Sequence, residues 1–228
     1  MSRVVVVTGG AKGIGKAIAQ RFAGDQVHAP AHDGLDVTDE AQVQAFFERL
    51  GRVDVLVNNA GVASGAPLTR ITLDDWQAHL AVNATGAFLC TRAVLGGMIE
   101  RGDGRIVTVA SVAGLVGARY TAAYSASKHA AVGLMRATAA EVAGTGVTAN
   151  AVCPFYVNTE MTLRTLENIV ARTGRTPGEA ESALKAMTPL GRLLEPDEVA
   201  AAVVFLASPE AAAINGQTLV LDGGGFQA

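Results

Sequence analysis

The spacing of hydrophobic positions along the chain alternates between two periods. Short runs rich in β-branched residues occur at 4–8 (VVVVT), 53–58 (VDVLVN), 105–111 (RIVTVAS), 147–153 (VTANAVC) and 218–222 (TLVLD). Between them lie longer segments with helix-like patterning: GKAIAQRFA from Gly15, DDWQAHLAVNATGAFLCTRAVLGGMIERG from Asp74, TAAYSASKHAAVGLMRATAAEVAG from Thr121 and PDEVAAAVVFLAS from Pro196. A strand that is apolar at almost every position is covered on both faces. Such strands alternating with helices imply a parallel sheet with helical crossovers. The pattern therefore predicts an α/β chain, one doubly wound domain over residues 1–228, with six strands or seven if one is very short.

Two segments break the pattern. Residues 27–37, VHAPAHDGLDV, are too few for a helical crossover, which needs about a dozen residues. Either a strand near LDV is displaced or a helix is missing, so the connection from the second to the third strand is shortened. Residues 155–190 are more polar and read as a helical insertion between two strands. In an open α/β sheet, ligands bind beyond the carboxyl ends of the strands. An insertion at that edge is expected to act as a substrate lid.

Composition narrows the classes of function. The 228 residues are 50% hydrophobic and 17% charged, with a formal net charge of −3 and no run of one sign. No basic stripe for nucleic acid and no polybasic segment for a membrane surface stands out. The start, MSRVVVVTGG, lacks the long apolar stretch of a secretory leader. No apolar stretch reads as long enough to span a bilayer. Cys90 and Cys153 lie in apolar surroundings and read as buried thiols. The expected setting is intracellular, in the cytoplasm.

Three motifs carry chemistry. In VVVVTGGAKGIGKAIA an apolar strand runs into Gly9, Gly10, Gly13 and Gly15 and then a helix. Glycines allow the sharp turn and the close approach of a phosphate, and the helix start supplies N–H groups. The spacing is not that of a P-loop, because no Gly-Lys-Ser/Thr closes it. NNAG, Asn58–Gly61, ends a strand, and by itself is read equally well as a polar turn. In YSASK, Tyr124 and Lys128 stack on one helix face. A free phenol titrates at about 10, and a neighbouring ammonium lowers that value, making a group that exchanges protons near neutrality. A lone Tyr-x-x-x-Lys is weak evidence, since helices carry many lysines. Ser111, thirteen positions earlier at a strand end, adds a hydroxyl for a carbonyl oxygen. Asn83, inside the helical LAVNATGAF, has poor helix propensity and is expected to serve another purpose.

Taken together these motifs resemble the short-chain dehydrogenase/reductase family over nearly the whole chain, from TGGAKGIG to LVLDGG. The resemblance implies a Rossmann-type fold and interconversion of a ketone and a secondary alcohol with NAD(P)(H). It implies Tyr124 as acid/base, Ser111 orienting the substrate carbonyl, Lys128 lowering the tyrosine pKa and holding the nicotinamide ribose, and Asn83 holding a water in a proton relay to Lys128. Cofactor contacts are implied at Gly9, Lys12, Gly13, Ile14, Gly15, Asp36, Val37, Asn59, Ala60, Gly61, Tyr124, Lys128, Pro154, Val157 and Thr159. No metal is implied.

The chain departs from the family pattern in places. Phe155 follows Pro154 where glycine is usual, beside the expected nicotinamide, and would narrow the pocket or shift the cofactor. The family's acidic position after the second strand, which selects NAD(H), falls on Ala31, followed by His32 and Asp33. With Lys12 able to meet a 2′-phosphate, NADP(H) is favoured over NAD(H). The segments ASVAGLVG, YSASKHAAVG and TGVTANAVCP resemble 3-oxoacyl-thioester and polyketide ketoreductases. The expected pocket, Val112, Ala113, Leu115, Val116, Phe155 and Tyr156, is mostly apolar. Gly102 and Thr145 stand where carrier-protein reductases have basic residues, with Arg101 as a substitute. A coenzyme-A thioester or a free or cyclic ketone therefore stays open beside a carrier-protein substrate. Arg164, Arg172 and Arg175 in the lid read as a solvated face or as phosphate contacts. Two rivals remain. Halohydrin-dehalogenase-like lyases keep Ser and Tyr but replace the lysine and lose the glycine loop, and a non-catalytic dinucleotide-binding homologue would bind without turnover. The resemblance also implies a homotetramer, one interface made by the helices around Asn83 and Lys128 and another by the last strand and helix.

Overall fold

The computed structural model describes residues 2–226. Six strands form one all-parallel sheet: β1 (Val4–Val7), β2 (Gln26–His28), β3 (Val55–Asn58), β4 (Gly104–Val109), β5 (Val147–Pro154) and β6 (Thr218–Leu221), in the order β2-β1-β3-β4-β5-β6. Eight α-helices accompany them: α1 (Gly13–Arg21), α2 (Glu40–Leu50), α3 (Leu73–Leu80), α4 (Gly86–Arg101), α5 (Ala122–Glu141), α6 (Glu160–Thr173), α7 (Pro177–Lys185) and α8 (Pro196–Leu206). Side chains alternate across a strand, and β1 divides its valines accordingly. Val5 and Val7 join Ile18 and Phe22 of α1 and Val199, Val203 and Leu206 of α8 in one core. Val6 joins Val43 and Phe47 of α2, Leu89 and Met98 of α4, and Val132 and Met135 of α5 in the other. Cys90 and Cys153 are free and buried.

The two irregular segments resolve differently. The 27–37 connection contains neither a crossover helix nor a further strand, so the sheet ends at β2 with six strands. The chain turns at once after Pro30: the N–H groups of Gly34 and Leu35 both donate to the Ala31 carbonyl at 3.0 Å. The LDV segment is irregular, yet Leu35 and Val37 stay buried in the core. The Asp36 carboxylate accepts from the Thr38 N–H at 2.9 Å and its hydroxyl at 2.8 Å, and Asp39 then caps α2. The 155–190 segment folds as α6 and α7, following the carboxyl end of β5.

The run from α3 to α4 corrects one expectation. Leu73–Arg101 is long and apolar enough, by length and composition, to cross a bilayer, with mean hydropathy 1.2 over its best window. The charged residues at both ends obscured this in the sequence. In the fold 44% of that window is buried, and Leu89, Cys90, Val94 and Met98 pack into the core shared with the sheet.

Beyond the apolar layers, the β5–β6 half depends on one amide. Asn150 is fully buried; its Nδ2 donates to the Ile214 carbonyl at 2.7 Å and its Oδ1 accepts from the Gln217 N–H at 2.9 Å. Asn150→Ala strands both backbone groups, so it is expected to cost about 2–4 kcal/mol. Urea unfolding should show a lower midpoint with an unchanged slope.

Candidate active site

A parallel sheet delivers all its strand ends to one edge. Here β1 runs into the glycine loop, β3 into Asn58–Gly61, β4 into Ser111, and β5 into Pro154–Thr159. The glycine loop is tightly stitched. Gly9 and Gly13 hold φ of +63° and +52°, a region that disfavours side chains. A Cβ on Gly15 would lie 2.4 Å from the Gly9 carbonyl and 2.5 Å from Asn59 Nδ2. Asn59 Nδ2 donates to the carbonyls of Thr8 and Gly9 at 2.9 and 3.1 Å. Thr8 Oγ1 in turn accepts from the N–H groups of Asn59 and Ala60, both at 3.0 Å. Loop and strand end are thus one unit.

The loop leaves the start of α1 chemically suited to an anion. Lys12, at the cap position, makes no side-chain cap bond, and the first turn carries no acid. The first-turn N–H groups and the positive end of the helix dipole remain for a ligand. A Cβ on Gly13 would meet Thr159 Cγ2 at 3.5 Å, so Thr159 faces the loop. Ile14 packs on the core, and Val157 is buried in it and bridges to Leu194. Asp36 is turned onto Thr38, whose backbone and side-chain hydrogen bonds hold its carboxyl below the usual range. Lys12 Nζ lies 3.0 Å from Glu160 Oε2, with both side chains exposed.

Ser111, Tyr124, Lys128 and Asn83 come together beside that loop. Ser111, just past β4, accepts from the Ala113 N–H at 3.1 Å and caps a short turn. Lys128 is 6% exposed, and its Nζ donates to the Val109 carbonyl at 2.9 Å. That nitrogen lies 5.9 Å from the centre of the Tyr124 ring, on the same face of α5 as the helical spacing suggested. The expected electrostatics change. Burial pushes the Tyr124 phenol up, with hydrogen bonding to Ser111 acting the other way. Burial brings the Lys128 ammonium down to about 8. Desolvation of each group outweighs the attraction read from sequence.

Asn83 sits in a π-helical turn, Ala81–Thr85, between α3 and α4. Such turns interrupt the α-ladder and recur at functional sites. Asn83 Oδ1 accepts from the Val62 N–H at 2.8 Å, and Nδ2 donates to the Val62 carbonyl and to Ser127 Oγ, each at 2.9 Å. Both amide hydrogens are used, and Oδ1 keeps one lone pair. Gly61 leaves the space before it clear: a Cβ there would lie 3.1 Å from Asn83 Oδ1 and 3.6 Å from Lys128 Nζ. Asn83, Lys128, Val37 and Asn58 line a cavity of about 10 Å³, room for one water. Asn58 Oδ1 is buried without a protein partner.

The expected substrate side is apolar and partly closed. Val112 is buried, while Ala113, Leu115, Val116, Phe155 and Tyr156 are partly exposed. The Phe155 ring packs edge-on against Tyr156, centroids 4.7 Å apart. Arg101 donates to the Val53 carbonyl at 2.6 Å, so its guanidinium is engaged within the fold. Arg164 pairs with Glu160 at 3.6 Å, and Arg172 donates to the Gly65 carbonyl at 2.7 Å; Arg175 is exposed. Sequence reasoning missed Thr8, Ser127 and His79. Ser127, fully buried, donates to the Tyr124 carbonyl at 2.7 Å while accepting from Asn83. Its position three residues after Tyr124 was the available signal.

Known proteins resemble the chain along almost its full length. A family model described as Enoyl-(Acyl carrier protein) reductase matches residues 25–225. A D-threitol dehydrogenase of Mycolicibacterium smegmatis is 41% identical, the match covering 97% of this chain and 92% of that protein. An acetoacetyl-CoA reductase of Shinella zoogloeoides is 40% identical, covering 99% of each. Among solved structures, an actinorhodin polyketide ketoreductase variant with NADPH superposes with a TM-score of 0.90 at 37% identity, covering 98% of this chain and 97% of that one.

The burial of Lys128 has a measurable signature. Its folded value, about 8, lies below the unfolded one of 10.5. Between those values the unfolded chain binds more protons, so wild-type stability contains a contribution that rises with pH there. Lys128→Met lacks that contribution. The stability difference between wild type and variant should therefore move in favour of the wild type by up to about 3 kcal/mol on going from neutral pH to about pH 10. Urea unfolding of both proteins at the two pH values checks it.

Proposed function

The chain is an enzyme of the short-chain dehydrogenase/reductase family, and from that premise we propose that it reduces a ketone to a secondary alcohol, a 3-oxoacyl thioester being the favoured substrate class. The observation that carries the reading is the cluster of Ser111, Tyr124 and Lys128 around the clearing kept by Gly61. Bound at the glycine loop, a nicotinamide dinucleotide supplies the hydride. The residues present fit such a group: glycines where a Cβ would collide, an uncapped helix start, and no acid in its first turn.

In this reading the Ser111 hydroxyl holds the substrate carbonyl and Tyr124 gives its proton to the carbonyl oxygen. Burial favours the protonated phenol, the form that reduction needs at neutral pH. Lys128 and Asn83 border a water-sized cavity through which a proton can return. Asn83 braces the loop after β3 with its amide and offers the water the remaining Oδ1 lone pair. Thr159, Asn59 and the helix start are the chain's own contacts for the dinucleotide. NADP(H) is favoured over NAD(H): no carboxylate stands at Ala29–Ala31 beyond β2, Lys12 borders the loop, and the polyketide ketoreductase relative was solved with NADPH. The acetoacetyl-CoA reductase relative and the apolar Phe155–Tyr156 wall support a thioester or hydrophobic ketone. The threitol dehydrogenase relative keeps a free secondary alcohol as a second reading. Residues 155–190 would form the lid.

We also infer a homotetramer. Phe88 on α4, Phe205 on α8 and Leu219 on β6 are large apolar side chains left 37–47% exposed on the faces that the family would pair. Sedimentation should give a tetramer, and a monomer at working concentration would remove this inference.

Initial rates with NADPH and with NADH, each against acetoacetyl-CoA and a cyclic ketone, test the activity. Turnover is expected with NADPH preferred, and Tyr124→Phe should lower kcat by about 10²–10⁴-fold while leaving cofactor binding intact. Cofactor binding without turnover on any ketone or alcohol would instead mark a dinucleotide-binding homologue.

A further inference from the structure

The segment after β3, Gly61–Ala66, forms one wall of the site and is held by four clamps from four elements. Asn83 takes both backbone groups of Val62. His79 of α3 takes the Ser64 N–H at 3.1 Å. Arg172 of α6 takes the Gly65 carbonyl at 2.7 Å. The Tyr120 carbonyl takes the Ala66 N–H at 2.9 Å. Three of these clamps keep their charge state across neutral pH. The fourth is an imidazole, whose ring nitrogens accept or donate according to which of them carries hydrogen.

The geometry around His79 dictates its proton. The ring is 4% exposed. Nδ1 lies 2.6 Å from the Asp75 carbonyl, which only accepts, so Nδ1 carries hydrogen. Nε2 faces the Ser64 N–H, which only donates, so Nε2 is bare. The Ser64 hydroxyl lies 3.3 Å from the same nitrogen and can donate as well. A second proton on the ring would set N–H against the Ser64 N–H and cost that hydrogen bond, leaving Nε2–H only the more distant Ser64 hydroxyl to donate to. The ring also meets Tyr124 edge-on, centroids 6.4 Å apart.

We propose that neutral His79 is a positioning residue which fixes the Gly61–Ala66 wall and seats the Tyr124 ring, and that protonation of His79 releases the wall. The groups facing it are few. Asp75, on its own helix, attracts a cationic ring, but its carboxylate already accepts from Thr72 Oγ1 at 2.7 Å. α5 presents Tyr124, whose phenol is held protonated by burial. The wall presents Ser64, which is uncharged. Release would also free Gly65, the point at which Arg172 ties α6 to the wall, so acid should loosen the α6 contact together with the loop.

Hydrogen exchange of the whole chain tests this without cofactor or substrate. Protection factors for a peptide spanning 62–66 are compared at about pH 8 and about pH 5.5. Wild type should lose about tenfold protection in acid. His79→Gln, which presents a neutral acceptor, should hold its protection at both pH values. His79→Leu should be unprotected at both. Equal protection of the wild type at the two pH values, or loss of protection in acid by His79→Gln, overturns the proposal, and these two comparisons stand even if His79→Leu does not fold. The kinetic arm rests on the oxidoreductase reading. In acid, KM for the ketone should rise in wild type and stay level in His79→Gln, beyond any change in kcat the two share. Absence of turnover in all three proteins would count against that reading alone, and the exchange result would still decide the role of His79.

Discussion

The hydrogen bond from buried Lys128 Nζ to the Val109 carbonyl sets the register of α5 against the end of β4. It costs the protein a desolvated ammonium, brought down to about 8, and much of the site is built around accommodating that cost. The turn after Ser111 presses onto the helix here: a Cβ on Gly114 would lie 2.8 Å from the Lys128 carbonyl. One residue earlier in α5, Ser127 ties the helix to Asn83 and so to the π turn. The π turn in turn holds Val62. A side chain at 61 would fill the ammonium's remaining open side, which explains a glycine in a strand-end motif where a tight turn alone would not require it.

The shortened connection shapes the opposite side of the edge. With no crossover helix after β2, Ala29 and Pro30 rest directly on the glycine loop. The Gly10 N–H donates to the Pro30 carbonyl at 3.1 Å, and a Cβ on Gly10 would come within 2.5 Å of Ala29 Cβ. The core loses little by the deletion, because Leu35 and Val37 still reach it from irregular backbone. What changes is polarity. The carboxylate expected near the end of β2 is absent, and Asp36 is occupied with the turn that leads into α2. What that side presents to a ligand is backbone, Lys12 and the uncapped start of α1.

Strands β1, β3, β4, β5 and β6, the helices other than α2 and the sequence motifs were legible because they rest on local rules: apolar runs for doubly covered strands, helical spacing, and glycines where a chain must turn. Three features were not. The strand β2 is only three residues long, and its end was obscured by the proline and glycine that follow. The directions of the Tyr124 and Lys128 shifts depend on how completely each group is desolvated, which spacing along a helix does not reveal. His79 lies in a helix-like segment where nothing in the local sequence marks it out. It is buried because the chain returns over it at Ser64, a contact fifteen residues away in sequence and set by where β3 ends.

The same long-range logic explains why α6 is tied to the strand-end edge although its sequence is polar and its side chains largely solvated. It is tied at both ends to opposite sides of the edge. Its first residue, Glu160, meets Lys12 of the glycine loop, and its last turn gives Arg172 to the Gly65 carbonyl. An exposed ion pair such as Lys12–Glu160 contributes little, so the helix is held lightly on the side where an anion would compete for the lysine. On the other side its anchor is a backbone carbonyl within a wall that His79 itself holds. A ligand acting at Lys12 and a proton acting at His79 would therefore reach the same helix from its two ends, because α6 has no extensive core of its own: among its residues only Thr162 is buried.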